Sequence, residues 1–199
     1  MTSQRHITVV RDEGPDPLLA ATRSCLLDLG LRRTTLAEIA RRAGVSRMTA
    51  YRQHGDRDAL VAALLTDELT TAMEQITVDV AHLPTGRERL VEAAARLLHA
   101  VSTNPVYRRI LDLDPELLLP LIVDRFGTTQ RFAIDAMTEQ IREGRRDGSI
   151  RRGPSARAMA EHLCVALQAF VFSARVLELT SSPAVTAREI RALVDGYLA

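Results

Sequence analysis

The stretch from Thr35 to Leu60, TLAEIARRAGVSRMTAYRQHGDRDAL, constrains this chain more than any other. Thr35 is an N-cap acceptor with Glu38 three residues on, the spacing of a capping box, so a helix is expected from Leu36. Ile39, Ala40 and Ala43 lay an apolar stripe along it, while Glu38, Arg41 and Arg42 face the other way. Gly44 stands where that helix must stop, in the left-handed conformation that glycine enters without steric cost. Val45 is suited to fill the inside of the corner. Ser46 caps a second helix that begins at Arg47. Helix, glycine turn and second helix make a helix-turn-helix, whose second member lies in the major groove of DNA.

The side chains of that second helix fit the role. Arg47, Met48 and Thr49 in its first turn are suited to base edges: a guanidinium to guanine, a thioether to the thymine methyl, a hydroxyl to either. Tyr51, Arg52 and Gln53 follow with donors for phosphate oxygens, and Arg57 opens the next helix with another. The helix starts at Thr35 and Asp56 present free amides and a partial positive charge, to which a phosphate could come.

The run T-x-x-x-I-A-x-x-A-G-V-S-x-x-T-x-Y-x-x-x-x-x-R-x-x-L, Thr35 to Leu60, resembles the DNA-binding domain of TetR-family transcriptional regulators. It departs from the family pattern at three places. His54 stands where a core phenylalanine is usual, Ala50 where a larger aliphatic is usual, and Arg57 where lysine is usual. The first two bear on packing; Arg57 keeps the charge with a different geometry. The resemblance implies an all-α chain of about nine helices. A mobile arm would cover residues 1–15 and a three-helix DNA-binding domain residues 16–62. A long helix would then lead into an effector-binding and dimerisation domain over 63–199.

Charge and composition agree with this division. The chain has 199 residues and a formal net charge of +1, but between Thr22 and Arg57 eight arginines face only Asp28, Glu38 and Asp56, a local net of +5. The positive field is concentrated where the groove-reading helix is expected. No lysine occurs, and with aromatics at 4% and no tryptophan the core must be built from Leu, Val, Ile and Ala. Cys25 and Cys164 sit alone in apolar helical patterns and are expected in the core. No stretch resembles a signal peptide or approaches the length of a membrane span, so a cytoplasmic protein is expected.

In order, Met1 to Pro15 reads as an arm from which Arg5, His6 and Arg11 could reach a minor groove. Asp16 and Pro17 start a first helix that runs to Leu29, with Leu19, Cys25, Leu26 and Leu27 available for packing and Gly30 ending it. Asp56 starts a long fourth helix to about Ala81, apolar along Val61, Leu65, Leu69, Met73, Ile76 and Val80. Thr85 and Glu88 form a second capping box before a fifth helix to about Ser102. A short sixth helix carries Val106, Tyr107, Ile110 and Leu111. Asp114 with Pro115 begins a seventh, apolar at Leu119, Val123, Phe126, Ile134, Met137 and Ile141, which Pro120 and Gly127 would bend. The segment from Arg142 to Leu163 resembles, more loosely, the family's link between its seventh and eighth helices.

The eighth helix, expected from about Pro154 to Leu179, carries two apolar stripes, and one core does not explain both. Met159, Leu163, Leu167, Phe170 and Ala174 suit the body; Val165, Ala169, Phe172, Val176 and Leu179 suit a second subunit. Thr186 and Glu189 would cap a last helix whose Ile190, Leu193, Val194 and Tyr197 complete a four-helix dimer interface. A monomer with a fatter core is the alternative.

The family resemblance also implies a mainly apolar pocket within helices five to eight for a small apolar or amphipathic effector. Leu97, Val101, Tyr107, Phe126, Gln130, Leu163, Leu167 and Gln168 are the candidates to line it, although residues of this kind are more often plain core than ligand contacts. No cofactor and no metal are expected, since the five histidines lack helical zinc spacing and no nucleophile elbow or phosphate loop occurs. The chain thus reads as a ligand-responsive repressor that binds a pseudo-palindromic operator as a homodimer, with no enzymatic activity. The rival is a ligand-binding or enzymatic helical body with a vestigial head.

Overall fold

Most helices of this chain start on a short polar side chain that accepts a first-turn amide. The computed structural model describes residues 16–113 and 126–199, which form ten α-helices and no strand. Asp16 caps α1 (Pro17–Leu29), Thr35 caps α2 (Leu36–Arg42), Ser46 caps α3 (Arg47–His54) and Asp56 caps α4 (Arg57–Val80). Thr85 and Glu88 close a reciprocal capping box on α5 (Gly86–Thr103), and Asn104 Oδ1 accepts from the amides of Val106 and Tyr107 at the start of α6 (Pro105–Leu113). Then come α7 (Thr128–Arg146), α8 (Ala156–Phe172), α9 (Ala174–Thr180) and α10 (Pro183–Leu198). The expected arm with Arg5, His6 and Arg11, and the helix start at Asp114 and Pro115 with Leu119, Pro120 and Val123, lie outside the described residues.

Four local expectations are corrected. Thr35 accepts from the Glu38 amide at 3.2 Å, but the Glu38 carboxylate is held by Arg41 and Arg42, two guanidiniums that outcompete one neutral amide. Gly127 does not bend a longer helix but stands at the cap of α7. The last helix starts at Pro183 behind Ser182, because a capping hydroxyl followed by a residue with fixed φ is a stronger start than Thr186 with Glu189. The eighth helix is broken at Ser173, and the chain turns by 63° between α8 and α9. The turn keeps Phe170 and Val171 on the core while Arg175 and Glu178 reach Asp112 and Arg108 of α6.

Three apolar clusters hold the helices. Leu18, Ala21, Cys25, Leu36, Ile39, Ala40, Ala50 and Leu60 form the core of the head. Leu26 and Leu31 meet Val61, Leu64 and Leu65 of α4 and Val106 and Ile110 of α6 in a second cluster. The largest gathers α5, α7, α8 and α10 around Ile134, Ile141, Met159, Ala160 and Leu198. Both cysteines are buried and free, as their patterns imply. Ile190 and Val194 belong to the largest cluster and are each only 2% exposed, so they are core and not an open dimer surface. Tyr197 packs on the same cluster, under the Arg151 guanidinium at 5.1 Å. A single stripe at i, i+4 spacing does not say which neighbour covers it, and here α5 does.

Among the described residues no single helix is long and apolar enough to cross a membrane; α8 and α9 reach that composition only together, across their bend.

Two contacts tie the body together in ways that mutation can test. A Cβ on Gly86 would lie 2.6 Å from Gly144 Cα, so α5 and α7 meet backbone to backbone, and Gly86→Ala should lower stability by about 1–3 kcal/mol in chemical denaturation. Glu92 of α5 accepts from Arg191 of α10 at 2.6 Å and from Arg96 at 2.7 Å, and these hydrogen bonds hold its carboxyl down to about 2. A depressed folded-state value stabilises above the ordinary carboxylate range of about 4.3 and is lost as the pH falls through the folded value. Glu92→Gln should therefore lower the thermal midpoint near neutral pH, with the gap to the parent chain closing as melts are run toward about pH 2.

Candidate nucleic-acid interface

The corner between α2 and α3 is built from backbone alone. Gly44 has φ +71°, its amide donates to the Arg41 carbonyl at 3.3 Å, and the Val45 amide donates to the Ala40 carbonyl at 3.0 Å. This pair of bonds is the Schellman motif, and it satisfies carbonyls that the helix end would leave open. Val45 turns inward onto the head core. Ser46 then accepts from the Thr49 amide at 3.0 Å, which fixes where α3 starts; the remaining first-turn amides have no intrahelical acceptor.

Of the eight residues of α3, Ala50 alone is buried. Arg47, Met48, Tyr51, Arg52 and Gln53 are all exposed. Met48 is 73% and Tyr51 57% exposed, so a thioether chain and a phenol stand in water one turn apart, beside two arginines. Ser46, Met48, Thr49, Tyr51 and Arg52 line a shallow hollow there, and Ser46 is the member that spacing alone did not nominate. Thr49 is half-buried, and its hydroxyl shares a 2.9 Å hydrogen bond with Ser46. Thr35 is exposed at the start of α2.

Pairing divides the arginines of this region. Arg42 is bound to Glu38, to Asp28 at 2.5 Å and to Ser24 at 2.7 Å, and Arg23 is bound to Glu68 at 3.0 Å. Arg41 donates to Glu38, whose carboxyl these two arginines hold down at about 2. Arg57 is turned back onto Asp58 and the Leu31 carbonyl, so a phosphate would have to compete with both for it. A carboxylate on the very next residue is the reason. Among the described residues Arg47 and Arg52 of α3 enter no ion pair, nor does the exposed Arg33 ahead of α2, so part of the head's positive charge is left open on α3.

His54, at the end of α3, does not fill the core as an aromatic ring would. Its Nε2 lies 2.6 Å from Asp16 Oδ2, while Asp16 Oδ1 accepts the Leu18 amide at 2.8 Å as the cap of α1.

The residues nominated to line an effector pocket do not form one group. Gln130 Nε2 donates to Gln168 Oε1 at 2.6 Å across α7 and α8, and Phe126 and Leu167 pack beside them on the body core. Leu163 is buried within that core, where close packing leaves it no open face. Tyr107 belongs to the second cluster, where its hydroxyl donates to the Leu65 carbonyl at 3.2 Å and burial pushes its phenol up. Leu97 and Val101 are half-buried on α5. A separate open groove lies along α4, α5 and α10, lined by Ile76, Asp79, Arg96, His99 and Arg191 among others. None of the nominated residues reaches it.

Comparison with known proteins matches this geometry. Residues 18–64 match the family model for bacterial regulatory proteins of the tetR family. An uncharacterised HTH-type transcriptional regulator of Mycobacterium tuberculosis is 32% identical over 181 residues, which cover 91% of this chain and 92% of the relative. The TetR family repressor AlkX of Dietzia, implicated in biodegradation of n-alkanes, superposes with a TM-score of 0.67 at 21% identity, over 94% of this chain and 96% of its own. The regulator FadR of Bacillus subtilis, solved in complex with stearoyl-CoA, has a TM-score of 0.66 at 12% identity, over 92% and 98%. With its corner, its exposed α3 and a relative of this length and identity, the chain belongs to the TetR family of transcriptional regulators.

Proposed function

We propose that the chain is an effector-responsive repressor that reads a pseudo-palindromic operator as a homodimer, with one α3 in each half-site. The observation that carries this reading is the surface of α3, where Met48 and Tyr51 stand in water between Arg47 and Arg52. Apolar side chains cost free energy in water and are kept there where a partner covers them. Arg47, Met48 and Thr49 would meet base edges. Tyr51, Arg52 and Gln53 would meet phosphates, with Thr35 and the start of α2 beside them. A vestigial head would have no use for such a surface.

Pairing of two chains would use the outer side of α8 and α9. Val165, Val176 and Leu179 are 50%, 63% and 87% exposed there, with Ala169 exposed and Phe172 half-buried between them, and Leu193 of α10 is 58% exposed. The head, residues 16–62, would do the reading, and residues 63–199 would bind the effector and the second subunit. Stearoyl-CoA in the Bacillus subtilis FadR structure suggests an amphipathic effector, met here between α7 and α8 near Gln130 and Gln168. Binding that favoured the non-reading arrangement of the body would release the DNA. A regulator of this kind works in the cytoplasm and needs no catalytic group.

Two experiments test these roles. Arg47→Ala with Tyr51→Ala should weaken binding to a duplex selected by the parent chain by about a hundredfold or more at fixed salt, with helix content unchanged by circular dichroism. Unchanged affinity would remove α3 from the interface. Leu179→Glu with Val176→Glu should shift the chain from dimer to monomer in sedimentation and lower operator affinity with it, whereas a parent chain that sediments as a monomer at micromolar concentration would end the dimer proposal.

A further inference from the structure

We propose that His54 and Asp16 form a clasp that sets the pose of α3 on DNA, making His54 a positioning residue for base reading that itself touches no base. The inference rests on the reading role proposed for α3.

The need for such a clasp follows from how little else holds the helix. With Ala50 its one buried side chain, α3 is attached to the head core by a single methyl group. A methyl contact is a pivot: it fixes the distance between the helix and its support but resists rotation and tilt poorly. The N-terminal end is fixed by the Gly44 corner, by Val45 on the head core and by the Ser46 cap. At the other end Arg52 and Gln53 are exposed and Gly55 follows with φ +87°, so apolar packing does not locate the last turn.

His54 supplies that second anchor. Its Nε2 is 2.6 Å from Asp16 Oδ2, and the same carboxylate uses Oδ1 to cap α1 at 2.8 Å. With both oxygens engaged, Asp16 cannot turn away without uncapping α1. The His54 and Asp16 side chains are 24% and 34% exposed, so water competes for the bond only in part. Base contacts require placement to about 10–20°, which a pivot alone does not give and a pivot with a short directional bond at the far end does. His54 is only half-buried and Ala50 is small, and the hydrogen bond does the work that larger apolar contacts would otherwise do.

Two substitutions separate positioning from folding. His54→Phe gives the position an apolar ring that cannot bond Asp16, and Asp16→Ser keeps a cap acceptor for α1 but is too short to reach His54. Each should weaken binding to the selected duplex about tenfold, with affinity for a shuffled duplex unchanged to within about twofold, because the phosphate-binding arginines are intact. The double variant should bind no more weakly than either single one, since both remove the same bond. Thermal midpoints recorded alongside should not track the losses, and His54→Phe in particular should melt no lower than the parent chain. A His54→Phe protein that binds the selected duplex as tightly as the parent, losses that add in the double variant, or equal losses on both duplexes would each overturn the clasp. If Arg47→Ala loses binding and His54→Phe does not, the clasp alone fails; if the parent chain selects no sequence, the reading role of α3 fails and takes the clasp with it.

Discussion

Burial of Val106 and Ile110 of α6 against Leu26, Leu31 and the first turns of α4 is the contact on which the rest of the molecule depends. Here the head meets the body, and α4 alone would not fix how they sit, because Val61, Leu64 and Leu65 offer a stripe on which a neighbour could slide. Hydrophobic contact rewards area and is indifferent to direction. Direction comes from polar bonds at the edge of the same cluster. Glu68 of α4 holds Arg23 of α1 on one side and Asn104 on the other, and Asn104 caps α6. Tyr107 adds a hydrogen bond from α6 to the Leu65 carbonyl. One carboxylate is thus shared between α1 in the head and the start of α6 in the body, so a shift of α6 would be felt in α1 through Glu68 as well as through the packed side chains.

The head applies the same division of labour on a smaller scale. Its core of Leu18, Ile39, Ala40 and Leu60 holds α1, α2 and α4 together by area, whereas α3 is set by directed bonds: the Schellman pair at Gly44, the Ser46 cap and the His54 contact with Asp16. A helix meant to bury its outer face against another molecule has few apolar groups left for its own fold. Charge is sorted accordingly. Arg23, Arg41, Arg42 and Arg57 are paired with acids of the head and α4, whereas Arg47 and Arg52 on α3, and Arg33 ahead of α2, enter no ion pair among the described residues.

The head was the most legible part of the chain because its signals are local. Thr35, Gly44, Ser46 and Asp56 each act on backbone within a few residues, so helix boundaries there follow from short-range chemistry. The bond between His54 and Asp16 spans 38 positions, and the bond between Gln130 and Gln168 spans the same distance. No periodicity encodes such pairs. Arg57 shows a different limit: its charge was legible, but the competition between Asp58 and a phosphate for it was not. Ile190 and Val194 show a third, since a regular apolar stripe reports that something covers it and not what; α5 of the same chain does so here.

The short helix α9 carries the strongest physical argument for a second subunit. It has seven residues and buries none of them. Isolated helices of that length are unstable in water, because the nucleation cost is not recovered over so few hydrogen bonds. Among the described residues the ion pairs of α9 are those of Glu178 with Arg108 and Arg175 with Asp112, all of whose side chains are 46–72% exposed, and Ala174 and Leu177 are half-buried. Exposed pairs of this kind contribute about 0–1 kcal/mol each, too little to hold a helix that also presents Val176 and Leu179 to solvent. The chain bends by 63° at Ser173, and beyond the bend Val176 and Leu179 are exposed, as are Val165 and Ala169 of α8 before it. Burial of that face against its twofold copy would cover Val176 and Leu179, and it would place two α3 tips in one particle, as a two-part operator requires.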